Sequence, residues 1–254
     1  MLNYRNEPNQ GRTEGYVKRP FRKDLAQPIL SLALLTIITC GYTQEPFEEA
    51  RERMVQNQIM ARGVQDTSTL RAMRSVPRHK FVPPDLASYA YGDSPLSIGY
   101  DQTISQPYIV ALMTELIKPR KGQRVLEVGT GSGYQAAVLA EIVDSVFTIE
   151  IIPELAASAE TRLKSLGYRN VIVRHGDGYL GWPERAPFDA IVVTAAPDHV
   201  PQPLVEQLKE GGVMVIPVGP VESVQALTVV RKKGKNIISE TRLPVRFVPL
   251  VRER

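Results

Sequence analysis

The chain has 254 residues, 43% of them apolar and 23% charged, enough length for one well-buried domain and a composition that excludes a low-complexity or wholly disordered chain. Its net charge of +4 is uneven: residues 1–24 hold six Lys/Arg against three acids, which leaves only +1 on the other 230 residues, so the main body carries no nucleic-acid footprint. A single cysteine, Cys40, excludes an internal disulfide, and His79, His175 and His199 stand too far apart for metal-ligand spacing.

Residues 1–24 are polar and contain Pro, Gly, Asn and Gln, the composition of a disordered tail. The apolar stretch 25–40 follows the basic cluster K-R-P-F-R-K and resembles a signal-peptide core or a short membrane anchor. Its 16 residues, with Gln27 and Pro28 among them, are short for a membrane span. Export, anchoring, and a translation start downstream at Met54 are the alternatives this segment leaves open. The expected organisation is therefore 1–45, a tail plus an anchor-like segment, and 46–254, a single folded domain.

From Pro46 the pattern becomes globular. Phe47, Ala50, Met54, Ile59 and Met60 share one face of a helix predicted over 46–62, and Gly63 is its stop. A second helix, 67–75, ends before Pro77. The stretch V-P-R-H-K-F-V-P-P at 76–84 reads as a proline-punctuated loop, and 89–104, rich in Tyr, Gly, Asp and Ser, as an irregular, partly extended segment. Pro107 opens a helix with Ile109, Val110, Leu112, Met113, Leu116 and Ile117 apolar.

Beyond it, apolar strands at 124–128, 145–150, 171–174, 188–195, 212–218, 225–231 and 240–248 alternate, at first, with helices at 134–142, 153–166 and 201–209. Such alternation implies a parallel sheet covered on both faces. The last two strands are joined by the short G-K-N turn, so they should pair antiparallel at the sheet edge, with Arg231, Lys232, Lys233 and Lys235 as a solvated hairpin tip. The expected fold is α/β and Rossmann-like: a seven-stranded, mostly parallel sheet with an antiparallel edge hairpin and helices on both faces.

The chemistry concentrates in V-L-E-V-G-T-G-S-G-Y at 125–134, where an apolar strand breaks into Gly129, Gly131 and Gly133 before a helix. Backbone can approach a ligand there with no side chain in the way. The glycines are spaced two apart, not as the G-x-G-x-x-G of dinucleotide enzymes. Glu127, just before them, would repel a pyrophosphate and attract a cation. S-adenosylmethionine, with an adenosine, a sulfonium and an ammonium, meets both conditions. Glu150 ends the next strand where a carboxylate can accept from both ribose hydroxyls; its structural alternative is a cap for the helix opened by Pro153. Asp177, with Gly178, follows a third strand and could accept from an adenine amino group, or serve only as a turn residue. Ser132 lacks the flanking glycines of a nucleophile elbow.

Six stretches then make a specific match: V-P-R-H-K-F-V (76–82), Q-T-I-S-Q-P-Y (102–108), V-L-E-V-G-T-G-S-G-Y (125–134), R-H-G-D-G (174–178), F-D-A-I-V-V-T-A-A-P (188–197) and V-R-F-V-P-L (245–250). Over about 49–251 the chain resembles the protein-L-isoaspartate O-methyltransferases. The resemblance implies methyl transfer from S-adenosylmethionine to the free α-carboxylate of L-isoaspartyl residues in damaged proteins, as the start of repair through a succinimide. Carried over by motif, Ser105 is the catalytic-site residue. Glu127, Gly129, Gly131 and Gly133 line the methionine end of the cofactor, Glu150 holds the ribose, and Asp177 and Gly178 lie beside the adenine. Ile104 and Val248 are candidate substrate contacts, and no metal is implied. Ser105 has a structural alternative too, as a cap before Pro107. Ile151, where some relatives are polar, would leave only apolar contacts to the adenosine. A monomeric enzyme in the cytoplasm, where its methyl donor is found, is expected, with export or a tether through 25–40 as the alternative.

Overall fold

The computed structural model describes residues 46–220, 223–234 and 236–252. The tail and apolar stretch within 1–45 lie outside the described residues. No helix among the described residues is long and apolar enough to cross a membrane.

Helix α1 (Pro46–Met54) carries acids in its first turn and arginines in its last, as the helix dipole favours. It does not continue as a regular helix to 62. A π-helical turn, Val55–Ile59, and a 3-10 turn, Met60–Arg62, complete it before Gly63 stops it at φ +92°. Met54, Val55 and Ile59 are all fully buried, so the wider turn keeps them in the core. In α2 (Thr67–Ser75) the Asp66 carboxylate accepts from the Thr69 amide at 2.7 Å, satisfying one orphan donor of the first turn.

The loop expected at 76–84 contains a 3-10 turn, Arg78–Phe81, and a second one follows at Pro84–Tyr89. The segment expected to be irregular holds a hairpin, β1 (Leu96–Gly99) against β2 (Gln102–Ile104). Its two-residue turn places Tyr100 and Asp101 at φ +54° and +55°, the primed-turn geometry that matches strand twist. Helix α3 (Pro107–Leu116) then leads to the main sheet.

That sheet comprises β3 (Arg124–Val128), β4 (Ser145–Glu150), β5 (Val171–His175), β6 (Phe188–Val193), β7 (Leu208–Val218), β8 (Gln225–Lys233) and β9 (Asn236–Val245), in the order β5-β4-β3-β6-β7-β8-β9. Strands β3 to β7 pair in parallel. Helices α4 (Tyr134–Ala140), α5 (Pro153–Ser165) and α6 (Gln202–Gln207) make the crossovers within this part. β8 is antiparallel to both β7 and β9, because the link after Val218 is too short for a crossover.

Alternation along β3 divides the core. Val125 faces the cluster built with α2, α3 and α4, whereas Leu126 and Val128 face the cluster with Phe147, Phe188 and Leu204. Glu127 shares the Val125 face and is fully buried. The chain winds outward from β3 to β5 and returns to the other side of β3 as β6. The carboxyl ends of β3, β4 and β6 therefore frame a topological switch point, where open α/β sheets bind ligands.

The final strand ends earlier than predicted. β9 stops at Val245, opposite the first residue of β8, Gln225, so the ladder has no further partner. Gln225 Oε1 instead accepts from the Phe247 amide at 2.9 Å. The chain then crosses the strand ends, with Ala196 N donating to Val248 O at 2.8 Å and Leu250 N to Ala196 O at 2.9 Å.

Candidate active site

The loop between β3 and α4 is shaped by its glycines. Gly129, Gly131 and Gly133 have φ of +97°, +51° and +86°, and Gly133 is the N-cap of α4. At Gly129 the requirement is double, since an added Cβ would also collide with Thr194 Oγ1. That hydroxyl sits 3.0 Å from Val128 O and 2.6 Å from Gly129 O, tying the end of β6 to the start of the loop. The Gly129 and Thr130 amides both point to Ile149 O on β4, at 2.8 and 3.1 Å.

Glu150, 5% exposed, holds the loop from the other side. Its Oε2 accepts from the Gly131 amide at 2.7 Å and its Oε1 from the Ile152 amide at 3.0 Å, at the head of α5. With these two backbone bonds made, two of about four acceptor positions on the carboxylate remain for a ligand. Glu127 lies beneath the loop. Its Oε2 accepts from Thr148 Oγ1 at 2.5 Å, and that hydroxyl is 2.6 Å from Thr130 Oγ1. Burial pushes the Glu127 carboxyl up to about 8, with Glu150 adding to the effect, while the Thr148 hydroxyl and the Ala136 amide ease its charge.

Three adjoining spaces open here. An outer cleft of about 420 Å³ lies between Ser105, Gln106 and the 243–248 segment, with Arg62 and Arg246 on its walls. A loop cleft of about 70 Å³ runs from Gly129 and Gly131 past Glu150 and Ile151 to the 248–251 segment. An inner pocket of about 30 Å³ reaches Glu127 and Gln135. Thr103 and Thr194 line all three, and Ser105 lines the outer cleft and the inner pocket. Ser105 is not spent on α3: Gln106 is the N-cap, with no side-chain cap bond, and the Ser105 hydroxyl makes no hydrogen bond to the described residues.

The other candidates separate. Val248 lines both the outer and loop clefts. Ile104 is 4% exposed in the main core cluster and touches only the inner pocket, while its neighbours Thr103 and Ser105 face the outer cleft. Gly178 lines the loop cleft, and an added Cβ there would meet Val128 Cγ1 at 2.5 Å. Asp177 instead lines a lateral cleft of about 560 Å³ with Ile149 and Arg174. Its carboxylate accepts from the Tyr179 amide at 2.8 Å, so it serves the turn it stands in. Ile151 lies in the loop cleft and shows its carbonyl to His175 Nε2 at 3.1 Å. Thr103, Thr148, Thr194 and Gln135 were not legible as site residues, because isolated threonines and a helical glutamine carry no spacing signal.

A doubly wound sheet whose switch point offers a phosphate-averse glycine loop, with one carboxylate beneath it and another at the end of the neighbouring strand, defines an S-adenosylmethionine-dependent methyltransferase. Residues 49–254 match the family described as Protein-L-isoaspartate(D-aspartate) O-methyltransferase, and the chain belongs to that family. It is 55% identical over 227 residues to a protein-L-isoaspartate O-methyltransferase of Opitutus terrae, covering 88% of this chain and 97% of the relative. A Gloeobacter violaceus protein of the same name is 56% identical over 201 residues, 79% of this chain and 98% of its own. Among solved structures, a protein-L-isoaspartate O-methyltransferase superimposes with a TM-score of 0.71 at 34% identity, covering 78% of this chain and 65% of that one. A putative protein-L-isoaspartate O-methyltransferase from Plasmodium falciparum, in complex with S-adenosyl-L-homocysteine, gives 0.68 at 27% identity, covering 80% and 99%. The enzyme takes its methyl group from S-adenosylmethionine and transfers it to the free carboxylate of isoaspartyl residues in proteins, the first step of their repair.

Proposed function

We propose that the loop cleft and inner pocket hold S-adenosylmethionine, that the outer cleft takes the isoaspartyl segment, and that Ser105 orients the attacking carboxylate between them. The observation that carries this reading is the position of Ser105, on the wall shared by the outer cleft and the inner pocket, with its hydroxyl bonded to none of the described residues. The residues present fit the cofactor: Gly129 and Gly131 line the loop cleft without side chains, Glu150 has acceptor positions to spare for ribose, and the Glu127 carboxyl lies at the inner pocket.

When bound, the cofactor supplies a methyl group activated by its sulfonium. A carboxylate is ionised at neutral pH, since its ordinary pKa is ~4, so the chain needs no strong base. Its task is alignment and exclusion of water. Ser105 donates a hydrogen bond that fixes one oxygen of the acceptor, leaving the other free to attack. Thr103 and Thr194 shape the passage through which the two sites meet. The 246–250 segment offers its backbone beside Val248 to an extended acceptor peptide. Glu127, Gly131 and Gly133 serve the methionine end, and Gly178 the adenine side. Asp177 reaches the adenine only if the lateral and loop clefts, which share Ile149, act as one space.

We further propose that 46–254 is a single catalytic domain, active as a monomer, without nucleic acid, in the cytoplasm where its cofactor is made; a tether through 25–40 is the alternative. The mild net charge supports the absence of a nucleic-acid partner, and the cofactor's location supports the cytoplasm. Transfer of labelled methyl to an isoaspartyl peptide but not to its aspartyl twin tests the assignment of the outer cleft. Labelling of neither, or of both, overturns it.

A further inference from the structure

The Ser105 hydroxyl is bonded to none of the described residues, so the backbone that carries it sets its position. That backbone is held on both sides. Ile104, 4% exposed, ends β2 opposite Leu96 and packs in the main core cluster. Gln106, the N-cap of α3, spends its side chain outside the helix: Nε2 donates to Asp93 Oδ1 at 2.8 Å and to Asp93 O at 3.1 Å.

Asp93 also holds Arg62. Its Oδ2 accepts from Arg62 Nη1 at 3.1 Å, and the Arg62 guanidinium carbon lies 3.6 Å from the centroid of the Tyr108 ring, in the first turn of α3. Arg62, Ser105 and Gln106 all line the outer cleft. One carboxylate therefore joins the turn before Gly63 to the head of α3.

The segment carrying Asp93 is itself anchored. Arg78, fully buried, donates from Nε to Ala90 O at 2.7 Å, and Gln58 Nε2 donates to Tyr91 O at 2.8 Å. Ala90 and Tyr91 are buried, so Asp93 follows closely on a point pinned to the core. The Arg62 and Asp93 side chains are 40% and 42% exposed, and ion pairs so open to solvent add little to stability. What this one supplies is geometry.

We propose that Asp93 is a positioning residue for the methyl transfer: through Gln106, and through Arg62 against Tyr108, it holds the head of α3 so that the Ser105 hydroxyl meets the isoaspartyl carboxylate. This rests on the assignment of Ser105 as the residue that orients the acceptor. A misplacement of about 1 Å can cost up to ~10²-fold in rate, and Gln106 is the residue next to the hydroxyl's own. Releasing it therefore bears on kcat before it bears on folding. Asp93→Asn keeps a side-chain oxygen for Gln106 Nε2 and loses only the charge facing Arg62.

A double-mutant cycle in the full chain tests this, with single-turnover and steady-state methylation of an isoaspartyl peptide as the readout. Asp93→Ala should lower kcat about tenfold, with the affinity for S-adenosylhomocysteine, measured by calorimetry, nearly unchanged. Asp93→Asn should recover most of that loss. Adding Asp93→Ala to Ser105→Ala should cost nothing further, because the hydroxyl it positions is gone. Full turnover in Asp93→Ala overturns the proposal, as does an equal loss in Asp93→Asn, a parallel loss of cofactor affinity, or losses that multiply in the double variant. If Ser105→Ala itself turns over fully, the assignment of Ser105 falls and the positioning role with it; a slow Ser105→Ala beside a fast Asp93→Ala removes the positioning role alone.

Discussion

Glu150 Oε2 accepts the Gly131 amide at 2.7 Å, so the acid that ends β4 anchors the loop that follows β3. One carboxylate thereby sets the shape of the glycine loop and presents its remaining lone pairs to the cleft beside it. The same side chain lines the loop cleft.

Glu150→Ala removes both backbone anchors and both proposed ribose acceptors. Charge-assisted bonds are worth about 1.5–3 kcal/mol each, so the dissociation constant for S-adenosylhomocysteine should rise at least about a hundredfold. Glu150→Gln keeps one acceptor and should fall between. Calorimetry decides it, and an unchanged constant in Glu150→Ala removes the residue from the site.

Ser105→Ala should lower kcat by about ten- to a hundredfold, the worth of one hydrogen bond to a charged group, with S-adenosylhomocysteine affinity nearly unchanged. Single-turnover methylation of an isoaspartyl peptide measures this. Full turnover in the variant would take Ser105 out of the mechanism.

Gly129→Ala meets two obstacles, a positive φ costing roughly 1–2 kcal/mol for any other residue and the Thr194 hydroxyl. It should weaken cofactor binding and lower Tm. Adding Thr194→Ala removes the collision but not the strain, so the double variant should recover part of both. Strict additivity of the two substitutions would show that they do not meet.

The pH dependence of stability follows from Glu127. Its carboxyl is raised from 4.5 to about 8 in the fold by burial, so between those values the folded state holds more protons than the unfolded one. Stability contributed by the neutral acid is complete below about 4.5 and is lost as pH rises towards about 8. The loss is on the order of a few kcal/mol. Urea unfolding of the cofactor-free chain at pH 5, 6.5 and 8 should show it, and Glu127→Gln should flatten the profile. An equal slope in both proteins would assign the effect elsewhere.

Gln225 is buried, and its amide oxygen holds the Phe247 N–H at 2.9 Å where β9 ends. Gln225→Leu should release the 246–250 segment, raising KM for the peptide several-fold with little change in cofactor affinity. It should also cost roughly 1–3 kcal/mol of stability for the unpaired buried amide. Equal changes in peptide KM and cofactor binding would argue for general loosening instead.

Some features were legible because a single local rule dictates them. Strands β3, β4 and β6 are buried on both faces, so they read as apolar runs, and the glycine loop announced itself by composition. The β1–β2 hairpin was hidden because its turn uses Tyr100 and Asp101 in left-handed conformations instead of an Asn-Gly pair. The first four residues of β7, Leu208 to Gly211, were missed because Lys209, Glu210 and Gly211 are polar or flexible and lie in the irregularity between the Phe188–Leu208 and Ala190–Val213 pairs. The π turn after α1 is set by packing of Val55 and Ile59, which periodicity does not distinguish from an ordinary helix.

The sequence by itself determined the family and the cofactor and singled out the glycine loop, because loop chemistry and strand burial are written in residue type and spacing. Only the tertiary structure decided which groups share a space. It separated Asp177 from Gly178 and withdrew Ile104 into the core. It brought Gln135 to Glu127 and placed Thr103 and Thr194 where the three spaces meet. The reason is physical: those relations depend on which strands lie side by side and on where each polar atom finds its partner, and neither is a property of any local stretch of chain.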